Sequence, residues 1–545
     1  MRERRAVWLY AALLLAFFVV TCRLCVLSQN TAYAQRAAEQ TVTVLPLAAP
    51  RGDFYDRSGE KLTGRENTYY ALCVPGEASY ARLFDLVSYS QQNVLYRKRN
   101  AASPFLIEVD RDLTDAGIYT VTAEKRYAAL PVCTHLIGYV NGEGIGVSGL
   151  EAALDDRLQA AGAAYVQCIT NAQGALMEDT QPVYHAAEAA GADVQLTIDA
   201  AIQRSAEGIA GAMMTAGCVL VLEVETAQVL ACVSMPDYDP SDVQKSIAAG
   251  NGALMNRALS AYAVGSVFKP VLAAAALETG CAELEYECQG YVQISDHIYR
   301  CAGGVPHGET DLAAALEKSC NCYFIRLGSI LGADRLEQTA AAFGFGQPVY
   351  LAGGLKSAAG NLPTAAELEN LGQQANFSFG QGALLATPVQ VAAMMNTIAA
   401  GGVYRTPSFL LRTFSAKTGE THAEWYPAEP QPVIDRTSAA RLRDMLAGVV
   451  TDGLGREAQP TWGTAAGKTG TAQTGRYNAA GEEYKNLWFA GFYPADAPRY
   501  TIVVMQDDQT DAANSSAAIF ARLCDALALL DPAQEIIAAA GAENS

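Results

Sequence analysis

The stretch "AVWLYAALLLAFFVVTC", Ala6 to Cys22, carries no charged residue. With the "LCVL" that follows Arg23 it makes an apolar run of about twenty residues, long enough to cross a bilayer's hydrocarbon core. Arg2, Arg4 and Arg5 precede it. Such arginines stay in the cytoplasm, which places everything after the run outside. A cleaved signal peptide is the competing reading. No A-x-A site follows the run directly, although "TAYAQ" at Thr31 to Gln35 is a late one. An uncleaved anchor is preferred, and both readings put the body of the chain outside the cytoplasmic membrane.

That body is large. The chain has 545 residues, half of them apolar, enough for several domains with packed cores. A net charge of -19 argues against a nucleic-acid binder but leaves room for a local anion-binding pocket. Of the thirteen cysteines, Cys22 and Cys25 lie in or beside the anchor. The other eleven are scattered with no tight C-x-x-C pair, and the five histidines are not clustered, so no zinc pattern, metal or cofactor is expected. Cys288 and Cys301 flank a glycine-containing excursion, "CQGYVQISDHIYRC". Outside the cell they form either a disulfide or two separate buried thiols.

Periodicity sketches the organisation. "TVTVLPLAAPRGDFYDRSGEKLT" begins with strand-like alternation, and "DRSGE" is turn chemistry, which suggests a hairpin. "VQLTIDAAIQRSAEGIAGAMM" passes from a strand to a helix starting near Asp199. From Cys218, two apolar strands join at a turn near Glu225 and Thr226, and a helix-rich middle follows. Near the end come "AAGKTGTAQTG", "NLWFAGFYPA" and "YTIVVMQDD", then a helix near Ala512 to Leu530. The economical arrangement is an antiparallel sheet flanked by helices from both chain ends, with a helical insertion.

Three short patterns carry candidate chemistry, and each has a decoy. In "YAVGSVFKPVL", Ser266 and Lys269 stand three apart at a helix start, on one face, and Pro270 fixes the first turn. A serine needs a neighbouring base to act as a nucleophile, and a lysine serves if burial lowers its pKa. Ser58 and Lys61 satisfy the same S-x-x-K in a polar turn. In "LEKSCNCYF", Ser319 and Asn321 flank Cys320, whose side chain should turn inward as a small hydrophobe. "SQN" at Ser28 to Asn30 is the decoy there. K-T-G occurs at Lys417 and at Lys468. The first is followed by Glu420 in what reads as a polar hairpin turn; the second is lined by small residues that let a ligand approach the strand. Alternation puts Lys468 and Gly470 on one strand face and Thr469 and Thr471 on the other. The backbone N–H groups of Thr471 and Ser266 would make an oxyanion hole.

In this order and spacing the three patterns resemble the penicillin-binding protein and serine β-lactamase superfamily. The likeness runs from the anchor to about residue 530. "RGDFYDRSG", "GLE" at Gly149 to Glu151, "SMPDYDPSD", "FGQGALLATPVQVAAMMNTIAAGG", "LWFAGFYPA" and "YTIVVM" resemble class B, PbpA-like members. The fold this implies is multidomain α+β: a cytoplasmic tail at 1–5, a single transmembrane helix at 6–27, and a mixed, dimerisation-like pedestal module at 28–200. A penicillin-binding transpeptidase domain with a central antiparallel sheet flanked by helices follows at 201–535, and a tail at 536–545.

The activity implied is D,D-transpeptidation of peptidoglycan stem peptides ending in D-Ala-D-Ala, through an acyl-enzyme on Ser266 that β-lactams also form. Lys269 would be the base, Ser319 a proton relay and Asn321 the holder of the substrate amide. Lys468, Thr469, Gly470 and Thr471 would bind the terminal carboxylate. The resemblance also implies a glycosyltransferase partner of the shape-elongation-division family in the membrane. No glycosyltransferase region of its own precedes residue 200, and no terminal PASTA-like repeats are expected. The alternatives are a D,D-carboxypeptidase, a β-lactam-binding or β-lactam-hydrolysing relative, and a non-catalytic scaffold. Tyr238 and Asp239 read as fixing a loop at the mouth of the site, Gln381 as wall, Trp488 as core and His307 as structural.

Overall fold

The computed structural model describes residues 2–29, 42–47, 50–171, 176–177, 180–187, 191–426 and 428–530. The late cleavage stretch Thr31 to Gln35 and the C-terminal tail lie outside them. The first helix runs Arg2–Ser28. Its segment Arg4–Ser28 is the one described helix long and apolar enough to cross a membrane. At 1.5 Å per residue that segment is about 38 Å long, against a hydrocarbon core of about 30 Å.

The chain divides into two compact units. The smaller holds Met1–Arg51, Gly64–Arg126 and Gln159–Ala190. The larger takes Gly52–Thr63 and Tyr127–Leu158 as well as everything from Gly191. The smaller unit has two three-stranded antiparallel sheets. In one, Glu66–Cys73 lies between Phe105–Val109 and Thr120–Lys125. In the other, Tyr165–Ile169 lies between Val42–Pro46 and Val183–His185. The strand expected at the start of this stretch is therefore not an arm of the turn at Asp56 to Glu60. Val42–Pro46 pairs with a strand more than a hundred residues away, while the "DRSGE" turn closes a short hairpin of its own, with the bridge Tyr55↔Lys61 and Leu62 N–H donating to Phe54 O at 2.8 Å, within the larger unit.

After Gly191 the larger unit continues into α1, Ala200–Met213, capped by Asp199, whose carboxylate accepts from the N–H groups of Ala201 and Ile202. Strands β1, Gly217–Glu223, and β2, Val229–Met235, follow. The helix-rich middle supplies α2, Lys269–Thr279; α3, Asn321–Leu331; α4, Pro388–Ala399; and α5, Arg436–Thr451. Strands β3, Ala466–Tyr477; β4, Glu483–Tyr493; and β5, Tyr500–Gln509, lead to α6, Ser516–Leu530.

The five strands form one antiparallel sheet in the order β2-β1-β5-β4-β3. The last three strands of the chain thus slot beside the first, which leaves β3 at the edge. A sheet covered on both faces needs continuous apolar runs, and β1 is one. Val219 and Val221 pack with Ile202, Ala206, Ile519 and Phe520 of α1 and α6. Cys218, Leu220 and Leu222 face the other core, with α2, α3 and α4. Trp488 on β4 is 2% exposed, core as expected, and its indole N–H donates to Ala263 O at 3.0 Å.

Candidate active site

Ser266 lies in a 3-10 turn, Gly265–Phe268, that runs directly into α2. This is tighter than the plain helix start the sequence suggests, and Pro270 sits in the helix's first turn as expected. Two glycines let the turn press against β3. A Cβ on Gly265, whose φ is +59°, would lie 2.7 Å from Thr471 O. One on Gly470 would lie 2.8 Å from Val267 Cγ1. The glycine of K-T-G is therefore needed so that the edge strand can meet the serine turn.

Lys269 is fully buried. Its Nζ donates to Ser319 O at 2.7 Å, Ser319 Oγ at 3.1 Å and Asn321 Oδ1 at 2.8 Å. Ser319 adopts a left-handed φ of 52°, uncommon for a residue with a Cβ. Asn321 is the first residue of α3, and the N-cap between them is Cys320. The kinked turn is what brings three oxygens onto one ammonium. Burial pulls the Lys269 pKa down to about 7, against a smaller upward pull from Cys320, Cys301 and Cys322.

Lys468 is also fully buried, on the inward-facing side of β3 with Gly470 and Ala472. Its Nζ reaches Thr469 O at 3.2 Å and Thr469 Oγ1 at 3.4 Å. Burial, and then the charge of Lys269, hold its pKa well below the usual lysine value. Among the described residues no carboxylate pairs with either lysine. A cavity of about 230 Å³ lies above them, lined by Ser266, Ser319, Asn321, Thr469, Gly470 and Thr471. No acid lines it, which makes it receptive to anions on a protein of net charge -19.

The structure brings together Ser266, Lys269, Ser319, Asn321, Lys468, Thr469, Gly470 and Thr471. The decoys fall elsewhere. Lys417 is exposed in the turn between Leu410–Phe414 and Thr421–Glu424. Lys61 pairs with Asp53 at 2.6 Å, while Ser58 bonds Asp56 at 2.7 Å. Asn30 lies outside the described residues. Gln381 lines the cavity as a wall residue, and Tyr238 is buried.

Lys318, Phe379, Leu454 and Gln473 also line the cavity and were missed. Gln473 was within reach, because it continues the outward alternation of Thr469 and Thr471. Beneath the S-x-N turn, Cys288 and Cys301 are adjacent but unbonded, their Sγ atoms 3.7 Å apart. His307 and Cys320 join them, a gathering that the scattered cysteines had not suggested.

Residues 217–525 match the penicillin-binding protein transpeptidase domain. The chain belongs to this family. Similar members include stage V sporulation protein D of Bacillus subtilis, 28% identical, the alignment covering 85% of this chain and 75% of that one. Peptidoglycan D,D-transpeptidase MrdA of Haemophilus influenzae is 26% identical, with 90% and 86% covered. A solved structure of a peptidoglycan synthase complex, described as coordinating polymerization and crosslinking, shares the fold with a TM-score of 0.69 at 24% identity, over 96% and 98% of the two chains. The match spans all five strands of the larger unit's sheet and the helices α2 to α5.

Proposed function

We propose that this penicillin-binding protein is a membrane-anchored serine D,D-transpeptidase that cross-links peptidoglycan stem peptides. The observation that carries the assignment is Lys269: wholly buried, with its pKa near 7, beneath a cavity lined by Ser266. A base poised near the working pH is what a serine nucleophile needs. Lys468, buried without a carboxylate partner, complements a ligand that brings its own carboxylate, as a peptide C-terminus does.

In the proposed cycle, Ser266 Oγ attacks the carbonyl of the penultimate D-Ala and its proton passes to Lys269. The N–H groups of Ser266 and Thr471 hold the oxyanion. The peptide C–N bond breaks, and terminal D-Ala leaves as an amine protonated through Ser319. An amine of a second stem peptide then attacks the Ser266 ester, and the serine recovers its proton. Asn321 holds the donor amide. Lys468, Thr469, Gly470 and Thr471 hold the terminal carboxylate, with Lys468 also tuning Ser319. β-Lactams acylate the same serine.

The N-terminal helix would be the single-pass anchor, its arginines in the cytoplasm and everything after it outside. The smaller unit would be the non-catalytic pedestal, and the membrane partner a glycosyltransferase that supplies the strands. The synthase complex that shares this fold, in which polymerization and crosslinking are coordinated, supports this last point by likeness. The assignment is tested by labelling the full chain with a fluorescent penicillin, beside Ser266→Ala. Label retained in the variant would overturn the nucleophile. Cross-linked dimer formed from lipid-linked pentapeptide with a glycosyltransferase present, rather than trimmed tetrapeptide alone, distinguishes transpeptidase from carboxypeptidase.

A further inference from the structure

Beneath the S-x-N turn, the cysteine and histidine side chains converge from four places along residues 288–320. Cys288 ends the strand Tyr286–Cys288, which pairs with Gly308–Thr310 so that Cys288 stands opposite Gly308. That pairing delivers His307, whose backbone N–H donates to Cys288 O at 3.1 Å. Cys301 follows the hairpin Tyr291–Ile294 and His297–Arg300 and donates its own N–H to Gly290 O at 3.0 Å. Cys320 arrives as the N-cap of α3.

The four donor atoms lie within 4.8 Å of one another. Cys288 Sγ is 3.7 Å from Cys301 Sγ and 3.6 Å from His307 Nδ1, and Cys301 Sγ is 3.8 Å from Cys320 Sγ. Three of the six edges of a tetrahedron are thus at metal-site length, and the other three are no longer than 4.8 Å. With Zn–S of about 2.3 Å and Zn–N of about 2.0–2.1 Å, tetrahedral angles require S···S edges of about 3.8 Å and S···N edges of about 3.6 Å.

We propose that Cys288, Cys301, His307 and Cys320 form a structural zinc site that clamps the turn carrying Ser319 and Asn321. Three thiolates and one imidazole, all from protein, make a closed site of the structural type. The sulfurs are already supported as thiolates would be. Gly290 N–H donates to Cys288 Sγ and Tyr323 N–H to Cys320 Sγ, each at 3.4 Å. Cys322, its Sγ 3.4 Å from Cys301 Sγ, is a fifth sulfur beside the tetrad. Binding releases three thiol protons to solvent and leaves a centre of net charge -1. A disulfide explains the arrangement less well. It needs an S–S distance of about 2.05 Å and would use two of the four donors, leaving the other two gathered for no purpose.

The site's effect on chemistry is positional. Cys320 is the middle residue of S-x-N, so an ion on its sulfur fixes the backbone between Ser319 and Asn321. Cys301 follows Arg300, whose carbonyl accepts from Asn321 Nδ2 at 3.0 Å. The ion thus holds both the turn and the backbone that orients Asn321, without itself lining the cavity.

The test uses the full chain in detergent micelles, desalted without chelator, with metal content measured by inductively coupled plasma mass spectrometry. About one zinc per chain is expected. Cys301→Ser and His307→Ala should lose it, while Cys281→Ser, outside the tetrad, should keep it. Because the first two can fail to fold, the wild-type chain is also alkylated before and after chelation. Cys288, Cys301 and Cys320 should be protected with zinc and labelled without it, as read by peptide mass. Failure to take up added Zn2+, a native Cys288–Cys301 disulfide, or zinc retained by both tetrad variants would each overturn the proposal. Metal content does not depend on acylation of Ser266, so the result is separable from the transpeptidase assignment.

Discussion

Acylation of Ser266 should switch on with a midpoint near pH 7, because that is where Lys269 loses its proton. The magnitude follows from burial. A lysine at its ordinary value of about 10.5 is neutral in roughly one molecule in 3,000 at neutral pH. With its pKa drawn to about 7 by desolvation, about half of the Lys269 side chains are free base there. Burial therefore supplies the base about 10³-fold more often. The assay is the second-order rate of labelling by a fluorescent penicillin from about pH 5 to about pH 10. The rate should climb about tenfold per pH unit below 7 and flatten above about 8. A rate still climbing tenfold per unit beyond pH 9 would mean an ordinary lysine, and a flat profile would mean no titrating base; either refutes the reasoning. Stability should move the same way. Below pH 7 the folded chain carries a buried ammonium that costs about 5 kcal/mol relative to the unfolded chain. Between 7 and about 10.5 the unfolded chain holds a proton that the folded one has lost, so this group's penalty fades as pH rises. Lys269→Met should lose labelling and flatten that part of the stability profile.

Other substitutions separate the parts of the site. Lys468→Ala should slow penicillin labelling by about tenfold or more through loss of a charged contact, while Lys417→Ala, exposed in its turn, should leave it unchanged. Equal effects would mean that the wrong K-T-G was assigned. Gly470→Ala places a Cβ 2.8 Å from Val267 Cγ1 and 3.1 Å from Val267 N. It should cost about 1–3 kcal/mol and cut labelling by prying β3 from the serine turn, as read by thermal melting beside the labelling rate. Arg257→Ala strands Asp507, whose carboxylate is 2.9 Å from Arg257 Nε in a buried pair, and should cost about 3–5 kcal/mol in a denaturant melt.

The sheet and the motifs were legible because local chemistry announces them. Asp199 before an alanine-rich run marks a helix start, and the start is found there. The continuous apolar text of Cys218 to Leu222 marks a strand buried on both faces. Each short motif had a decoy, and the decoys were separable by neighbours alone: an acid after Lys417, a polar turn around Ser58. What local text could not give was long-range pairing. Val42–Pro46 finds its partner at Tyr165–Ile169, so a nearby turn was the wrong guide. Nor could it give the left-handed backbone of Ser319, because that conformation is imposed by what the turn packs against.

The cysteine and histidine cluster escaped for a related reason, and the reason bears on how it would act. Metal motifs are recognisable in sequence when two ligands share one tight turn. Here a hairpin separates Cys288 from Cys301, a short 3-10 turn separates Cys301 from His307, and a strand and a helix separate His307 from Cys320. A site assembled in this way joins pieces of chain that would otherwise move independently, and one of those pieces is the S-x-N turn. Chelating the ion should therefore loosen Ser319 and Asn321 before it unfolds the sheet, whose hydrogen bonds involve none of the four ligands. Hydrogen exchange can check that order. After chelation, amides from Tyr286 to Phe324 should lose protection, while those of Val219 to Leu222 keep theirs. Loss of protection in both at once would mean that the ion holds the whole fold rather than the turn.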